Sequence, residues 1–379
     1  MRYCCAVALV FAVAAGAEDI SPRVGLIEIY GAHKTPVQKI KAAVGANPGD
    51  PMPSRDGIED RVGKLPGVLA ARVEAACCDQ RKMILYVGVE EKDAPHFDFH
   101  PTPTGDLTLA PGLEDKYREF LEAVAGSIRG RNADEDLTNG YSLMADPECR
   151  NLQSDFIPLV TRDLTMIDRV VRESSDPEQR AAAAYLIQYG PRTAHSSKFI
   201  VDALQYALRD QDETVRENAM RALHAVAVGG KLHPEQQVDI EPTWFVELLN
   251  SVVWSDRHNA TLALVNLTDT GNTETLALIR QRALASVIEM ARWHDLQHAL
   301  PAFILAGRLA GLSESEIQAA WLSGSREPVL EQALHPNKKH REASKKQPGN
   351  ASAAQRAPTW HFLASVDQAP LGCQARKPA

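Results

Sequence analysis

Small and apolar residues recur at helical spacing through the middle of the chain, and one phrase of this pattern returns four times. Each copy begins near an aspartate and centres on an alanine, namely Ala183, Ala219, Ala260 and Ala299. The steps between these alanines are 36, 41 and 39 residues. Periods of this length are typical of stacked helical hairpins, because so short a unit cannot bury its apolar stripe without neighbours. We therefore predict an α-solenoid, clearest over residues 156–321, within a helical domain at 111–334; a non-repetitive helical bundle is the alternative.

The second copy carries a more specific signature, Asp212-x-x-Val215-Arg216-x-x-Ala219-x-x-Ala222-Leu223. This run resembles the HEAT repeats, which are armadillo-like helical hairpins. The resemblance implies that aspartate and arginine side chains join neighbouring hairpins as a ladder. Because the third copy has its aspartate and arginine adjacent, the ladder is expected to be weaker there. The residues assigned to the ladder are Asp176, Arg180, Asp212, Arg216, Asp256 and Arg257.

Residues 24–92 show a different pattern, which predicts a small α+β domain of order βααββ. A β-branched run over residues 24–30 ends at Gly31, and two short amphipathic helices follow. Strands are predicted at 68–76 and 82–90. In the last strand four apolar residues alternate onto one face, namely Met83, Leu85, Val87 and Val89.

Several short features of this domain occur in an order that resembles a POTRA domain, a polypeptide-transport-associated module. They are Gly31 after the first strand, Leu65-Pro66-Gly67-Val68 before the second, and the run from Leu85 to Glu91 that closes the third. The resemblance implies that partners bind by adding a strand to an exposed sheet edge. A small α+β domain of no particular lineage is the alternative.

The remaining segments are polar or rich in proline. Residues 93–110 contain Pro95, Pro101 and Pro103 and are predicted to be a stiff linker. Residues 335–379 form a basic tail that is predicted to be disordered. From residue 336 onward the tail holds eight Lys/Arg against two acidic residues, so the net charge of −8 divides into about +6 in the tail and −14 in the body. An acidic body argues against nucleic-acid binding, while the tail could make weak contact with an anionic envelope surface or remain solvated.

The first 17 residues have the composition of a signal peptide. Arg2 precedes an apolar run, and Ala15-Gly16-Ala17 fits a cleavage site. We therefore expect an exported protein, periplasmic or in the cell envelope; an uncleaved anchor is the alternative. Export would place four cysteines in an oxidising compartment, namely Cys77, Cys78, Cys149 and Cys373. A disulfide joining Cys77 or Cys78 to Cys149 is one arrangement that the sequence allows, and free thiols are another.

Two classes of function are compatible with these patterns. The first is a non-enzymatic protein–protein interaction scaffold without a cofactor, which binds partners through the concave face of the solenoid and by strand addition to the small domain. The second is a metal-dependent hydrolase or other enzyme built on the solenoid, with His258, His294 and His298 as ligands. His294 and His298 share a helical face, but Asp295 stands where metalloprotease helices carry glutamate. We favour the first class.

Overall fold

The computed structural model describes residues 22–79, 82–92, 94, 97–130, 134–138, 141–234, 238–269 and 271–335, without the side chains of Cys78, Asp79 and Gly130. The predicted signal peptide and, apart from His335, the basic tail lie outside the described residues. Within the described ranges, no helix combines the length and the hydrophobicity needed to cross a membrane.

The N-terminal domain has the predicted order of elements, with strands β1 (Val24–Tyr30), β2 (Val68–Asp79) and β3 (Lys82–Glu91) and helices α1 (Val37–Val44) and α2 (Arg55–Gly63). The sheet order is β1-β3-β2. Strand β3 pairs parallel with β1 and antiparallel with β2. Because β3 is central, β1 and β2 are the two edges of the sheet.

One face of this sheet packs against α1 and α2. Leu85, Val87 and Val89 of β3 are buried there with Ile40 of α1 and Ile58 of α2. These are the alternating positions that the sequence predicts, and burying them explains why two helices of only eight and nine residues stay folded: packing of an apolar face, rather than helix propensity, stabilises short helices.

The opposite face of the sheet packs against the helical domain, which the sequence pattern did not predict. Tyr86 and Ile84 belong to the same buried cluster as the core of the helices. The Tyr30 hydroxyl donates to the carbonyl of Val252 at 2.8 Å. Gly88 is required by this contact, since a Cβ at that position would lie 1.9 Å from the same carbonyl oxygen. The sheet is therefore covered on both faces.

The rest of the described chain is mostly helical. Two short strands, β4 (Glu135–Asp136) and β5 (Leu143–Met144), pair in an antiparallel hairpin. The helices are α3 (Pro111–Gly130), α4 (Pro147–Glu173), α5 (Pro177–Leu186, continued by a 3-10 turn at Ile187–Tyr189), α6 (Ala194–Ala207), α7 (Glu213–Leu232), α8 (Thr243–Leu248), α9 (Trp254–Leu267), α10 (Thr273–Arg282), α11 (Leu284–Ala291), α12 (Leu296–Leu309), α13 (Glu314–Leu322) and α14 (Arg326–Leu334).

From α4 onward the helices form a stacked array of pairs. The pairs are α4/α5, α6/α7, α8/α9, α10–α11/α12 and α13/α14, and the two helices of each pair contact one another. The second helices touch in chain order, α5 to α7, α7 to α9, α9 to α12 and α12 to α14. Each pair therefore packs against the pairs before and after it in the chain. This confirms the helical repeat array, in contrast to a bundle around one centre.

Several boundaries differ from the sequence-based prediction. Helix α4, the first of the array, begins at Pro147, before the range 156–321 in which the repeat pattern is clearest, because Asp146 caps it by accepting from the N–H groups of Glu148 and Cys149. The first helix of the fourth pair is divided into α10 and α11 at Ala283, whose φ of −139° and ψ of 13° are not helical. Pro158 lies inside α4, at an exposed position. Proline has no N–H to donate within a helix, but α4 does not end there.

The predicted linker lies along the array instead of spanning open solvent. The His100 N–H donates to the Arg209 carbonyl at 2.7 Å, and the Arg209 side chain donates back to the Asp98 carbonyl at 3.0 Å. Further along, Gly105 exchanges backbone hydrogen bonds with the end of α4, at 2.9 Å to the Glu173 carbonyl and 2.7 Å from the Ser175 N–H. The linker is thus a bound strap over the turns of the first two pairs.

Aromatic contacts hold the same strap. His100 stacks on Tyr206 at 4.2 Å between ring centroids. Phe99 lies under the Arg216 guanidinium, with 4.7 Å from its central carbon to the ring centroid. The sheet domain and the strap together therefore cover the turns that join the first and second helices of successive pairs.

Candidate functional site

Three buried arginines at the starts of the second helices join neighbouring pairs. Arg180 of α5 donates to both oxygens of Asp210 at 2.7 and 2.9 Å and to the Ser174 carbonyl at 2.9 Å. Arg216 of α7 repeats this geometry with Asp256, at 2.7 Å from Nη2, and with the Asp210 carbonyl at 2.8 Å. Each guanidinium therefore spans its own turn and the next pair.

The third pair continues this ladder, unlike the weaker contact that the sequence suggested. Asp256 accepts from Arg216 and also from the Ser251 hydroxyl at 2.7 Å. Its neighbour Arg257 donates to the Ser251 carbonyl at 2.5 Å and to Glu289 at 2.9 Å. Adjacent residues thus serve two successive rungs, because one points back along the array and the other forward.

Asp176 and Asp212 have a different role from the one the resemblance implies. Each caps its own helix: Asp176 accepts from the Glu178 N–H at 2.8 Å, and Asp212 accepts from the N–H groups of Thr214 and Val215 at 2.9 and 3.2 Å. The acceptors between pairs include Asp210 and Glu289, which the sequence reasoning missed. The available signal for Asp210 was its place two residues before the cap Asp212, in the turn between α6 and α7.

Burial lowers the pKa of Arg216, but the charge and hydrogen bonds of Asp256 outweigh burial and raise that pKa above its ordinary value. Arg216 and Asp256 are both almost fully buried, with side-chain exposures of 2% and 1%. A pair so enclosed offers no surface to a partner. The ladder residues are therefore structural, and the candidate binding surface lies elsewhere.

Among the described second helices, α7 and α9 lie between two stretches that are buried throughout and carry half-buried polar residues themselves. Residues 180–190 around α5 and residues 298–307 of α12 are all buried. Helix α3 covers α5 through Tyr117 and Phe120, whose rings lie 5.5 and 5.4 Å from that of Tyr185. The concave face predicted along the whole solenoid is thus reduced to its central part.

Polar side chains follow the open part of both helices at helical spacing. On α7 the half-buried polar residues follow one another at intervals of three or four positions, so they lie on one side of the helix. On α9 they are a serine and two asparagines, at intervals of four and seven positions. The stripes meet at one end, where Asn266 lies 3.3 Å from Nδ1 of His224. The α7–α9 face consists of Glu213, Glu217, Arg221, His224, Ser255, Asn259 and Asn266.

The sheet domain closes the other end of the α7–α9 face. Arg55 of α2 donates to both oxygens of Glu213, at 3.1 and 3.2 Å. Glu74 of β2 accepts from the first N–H groups of α9, at 2.8 Å from Trp254 and 3.2 Å from Ser255. Side-chain hydrogen bonds thus join α2 and β2 of the sheet domain to the starts of α7 and α9.

Two carboxyl groups at or near this junction, Glu74 and Glu217, have raised pKa values. Burial raises the pKa of Glu74 to about 8, and the charge of Glu213 adds to the increase, although the hydrogen bonds from Ser255 and Trp254 oppose it. Burial likewise raises the pKa of Glu217, which Arg221 lowers and which Asp256 and Glu213 raise further. Carboxyl groups with strongly shifted pKa values are found more often at functional sites than elsewhere.

The histidines proposed as metal ligands are used in other contacts. The Tyr86 hydroxyl lies 2.7 Å from Nδ1 of His298, at the centre of the interface between sheet and helices. His258 stacks on Trp254 at 5.0 Å, and burial lowers its pKa to about 3. His294 faces Glu28, with 2.9 Å from Nδ1 to the carboxylate. Among the described residues no group of three histidine, cysteine or acidic side chains has metal-binding geometry.

The cysteines divide into two environments. Cys77 is disulfide-bonded, and Cys149 is a buried free thiol. Cys149 is therefore not the partner of Cys77. Burial raises the pKa of Cys149 to about 11, with a further increase from Asp146, so the thiol is unreactive near neutral pH. The Cys78 side chain and Cys373 lie outside the described residues.

No protein-family model and no curated protein sequence matches this chain. Among solved structures, an engineered protein aligns over 52% of this chain and 87% of its own, at 21% identity and a TM-score of 0.32. A computationally designed armadillo repeat protein for modular peptide recognition aligns over 53% and 92%, at 17% identity and a TM-score of 0.33. A second designed armadillo repeat protein aligns over 53% and 93%, at 17% and 0.32. At such scores the fold assignment rests on the helix contacts described above.

Proposed function

We propose that this protein is a non-enzymatic protein–protein interaction scaffold that binds its partner on the α7–α9 face. The supporting observation is the distribution of buried residues: residues 180–190 around α5 and 298–307 of α12 are all buried, whereas α7 and α9 between them carry half-buried polar side chains next to the sheet domain. A surface of this kind, bounded by rigid elements, favours recognition of a protein segment.

Site-specific photo-crosslinking tests this proposal. A photoreactive amino acid replaces Asn259 on the α7–α9 face, and Lys198, exposed on α6 in the layer of first helices, serves as the matched control position. The expected result is a discrete crosslinked protein from position 259 and none from position 198. The same adducts from both positions would contradict the proposal.

We also propose that the sheet domain is POTRA-like and that β2 is its strand-addition edge. The alternation of β2 directs the N–H groups of Val73 and Ala75 away from β3, as the hydrogen bond from Val73 to Glu59 at 2.8 Å indicates. Glu59 thus occupies the centre of the edge, and a partner strand would have to displace it or pair beyond it.

Ala75→Pro removes an outward N–H from the exposed part of that edge. If strand addition contributes, the partner identified by crosslinking binds more weakly to this variant, while Glu59→Ala, which clears the edge, binds it more tightly. Unchanged affinity in both variants, with the sheet still folded by circular dichroism, would exclude the edge as a binding site.

Export to the periplasm or cell envelope is proposed on the residues of the N-terminal segment alone. Weak contact between the basic tail and an anionic envelope surface is proposed from its charge. Both segments lie outside the described residues.

A further inference from the structure

The centre of the interface between the sheet domain and the helical array is an aromatic cluster that contains two buried histidines. Tyr86 of β3 stacks on Trp254 of α9 at 4.7 Å between ring centroids, and its hydroxyl lies 2.7 Å from Nδ1 of His298 of α12. His258 of α9 stacks on the same indole at 5.0 Å. The two imidazole rings lie 5.3 Å apart, and both residues are buried. The sheet domain therefore rests on two imidazoles that share one enclosed site.

Both imidazoles are uncharged in this arrangement. Burial lowers the pKa of both, and the charge of His298 lowers the pKa of His258 further, to about 3. A neutral His298 accepts the Tyr86 hydroxyl proton at Nδ1, whereas a protonated ring has no acceptor there. The carboxylate of Asp295, 3.5 Å from the same nitrogen, raises the pKa of His298 and offsets part of the effect of burial. Two protonated rings so close together in an enclosed site would repel one another.

Other charged and titratable groups lie around the cluster on the elements that pack against it. They are Glu28 and Tyr30 of β1, Glu74 of β2, Glu213 and Arg216 of α7, Asp256 and Arg257 of α9, Glu289 of α11, and His294 and Asp295 of α12. Burial raises the pKa of Glu74 to about 8. Glu74 therefore holds a proton at neutral pH in the docked state, and its titration opposes that of the histidines.

We propose that mild acid releases the sheet domain from the helical array, with protonation of His258 and His298 as the trigger, while the helix pairs stay folded. Each part keeps a core of its own, since the sheet is packed on α1 and α2 and the helix pairs are packed on one another. Release separates Arg55 and Glu74 from the starts of α7 and α9. It therefore frees that end of the α7–α9 face, and this last consequence alone rests on the proposed function.

The direction and size of the pH dependence follow from the protons that each state binds. A released histidine takes up a proton near its ordinary pKa of 6.5, so lower pH favours release by up to about tenfold per pH unit for each histidine. Glu74 acts in the opposite direction between pH 4.5 and about 8, because the docked state holds its proton. The docking equilibrium constant should therefore fall by up to about tenfold per pH unit from pH 6.5 to 4.5. Below pH 4.5 the fall steepens to as much as about a hundredfold per unit.

Tryptophan emission and circular dichroism of the full-length protein, measured between about pH 7 and 4, test the proposal. Trp254 and Trp293 are buried against Tyr86, so release should shift the emission to longer wavelength while the helical circular dichroism is retained. Return to neutral pH should restore the emission. An emission spectrum that stays unshifted, or a shift that coincides with loss of the helical signal, would overturn the proposal.

Two substitutions at one hydrogen bond should move the midpoint of release in opposite directions. His298→Asn keeps an acceptor at the δ position but does not titrate, so His258 and Glu74 should cancel and release should require a pH below 4.5. Tyr86→Phe removes the hydroxyl that favours neutral His298, so its release should occur at higher pH. His195→Asn, at an exposed position on α6, is the matched control and should behave as the wild-type protein.

Residues that only fill space would move the midpoint upward in both interface variants. Upward shifts in both, or unchanged midpoints in both, would therefore count against the histidine trigger. These measurements need no partner, so their failure would leave the proposed scaffold function standing.

Discussion

Buried arginines carry the contacts between neighbouring helix pairs, and each is satisfied by two kinds of acceptor. Arg216 illustrates the arrangement, with a carboxylate from the next pair and carbonyls from its own turn. The planar guanidinium suits this geometry because its donors point in fixed directions. Breaking such a pair leaves a buried charge without its partner, whereas removing a helix cap does not. Substitutions in the ladder should therefore lower the free energy of unfolding more than substitutions at the caps.

Arg216→Met should destabilise the protein by about 3–5 kcal/mol, because Asp256 would stay buried without its partner. Asp176→Ala removes only a helix cap and should cost about 1 kcal/mol. The free energy of unfolding in urea distinguishes the two variants. Equal losses would show that the ladder contributes no more than the caps.

The histidines at the interface make stability depend on pH. The pKa of His258 is about 3 in the folded protein against an ordinary value of 6.5, so the unfolded chain binds the proton first. Stability is present above pH 6.5 and falls as the pH decreases below it, by up to about 1.4 kcal/mol per pH unit. Glu74, whose pKa is raised from 4.5 to about 8, acts in the opposite direction and loses stability as the pH rises through that range.

His258→Phe keeps a ring against Trp254 and removes the titration. Unfolding midpoints at pH 7, 6 and 5 should therefore fall less steeply in this variant than in the wild-type protein. Parallel slopes would contradict the assignment of the acid sensitivity to His258.

At the scale of elements, β3 connects the two domains. Its odd-numbered residues pack on α1 and α2, and its even-numbered residues Ile84, Tyr86 and Gly88 face the helical array. A strand that is buried on both faces can be apolar at every position. Its sequence then predicts which residues share a face, but not which element packs on each face. Two aromatic contacts strengthen the second face, Tyr86 with Trp254 at 4.7 Å and with Trp293 at 5.1 Å.

Gly88→Ala should separate the sheet from the array, because its Cβ has no room beside the Val252 carbonyl and the Tyr30 hydroxyl. The emission of Trp254 and Trp293 should shift to longer wavelength while the helical circular dichroism is retained. Gly63→Ala is the matched control, since a Cβ there meets nothing within 4 Å. An unshifted spectrum for Gly88→Ala would mean that the interface tolerates the methyl group.

The sequence predicted features that depend on local period and failed for those that depend on distant contacts. The order βααββ and the recurrence of the helix pairs follow from periodicity, and both are confirmed. The rungs from Arg180 to Asp210 and from Arg257 to Glu289 join residues about 30 positions apart, so local spacing did not identify the acceptors. The strap failed for the same reason: proline content predicts stiffness, but hydrogen bonds to Arg209 decide where the segment lies.

The candidate site was even less visible in the sequence. Glu74 and Glu213 come from two domains and come near one another only after the sheet docks on the array, and Glu217 lies one helical turn beyond Glu213. Each is unremarkable in its own segment: a strand residue, the first residue of a helix and the next turn. The raised pKa values of Glu74 and Glu217 arise from burial and from the charges of Glu213 and Asp256, and neither cause is encoded in a local motif.

At the scale of the whole molecule, the N-terminal half of the chain limits what the array presents. The sheet domain and the strap cover the turns of successive pairs, and α3 covers α5. The α7–α9 face remains, next to the junction at which Arg55 and Glu74 of the sheet domain contact the starts of these two helices. The helical array is thus both a support for the sheet domain and one wall of the proposed binding site.

The most direct test of this account is hydrogen–deuterium exchange of the full-length protein with and without the partner obtained by crosslinking. The account predicts slower exchange in residues 213–228 of α7 and 254–267 of α9, together with the part of β2 around Glu74, and no change in α13 and α14. Protection confined to α13 and α14, or to the first helices of the pairs, would contradict it.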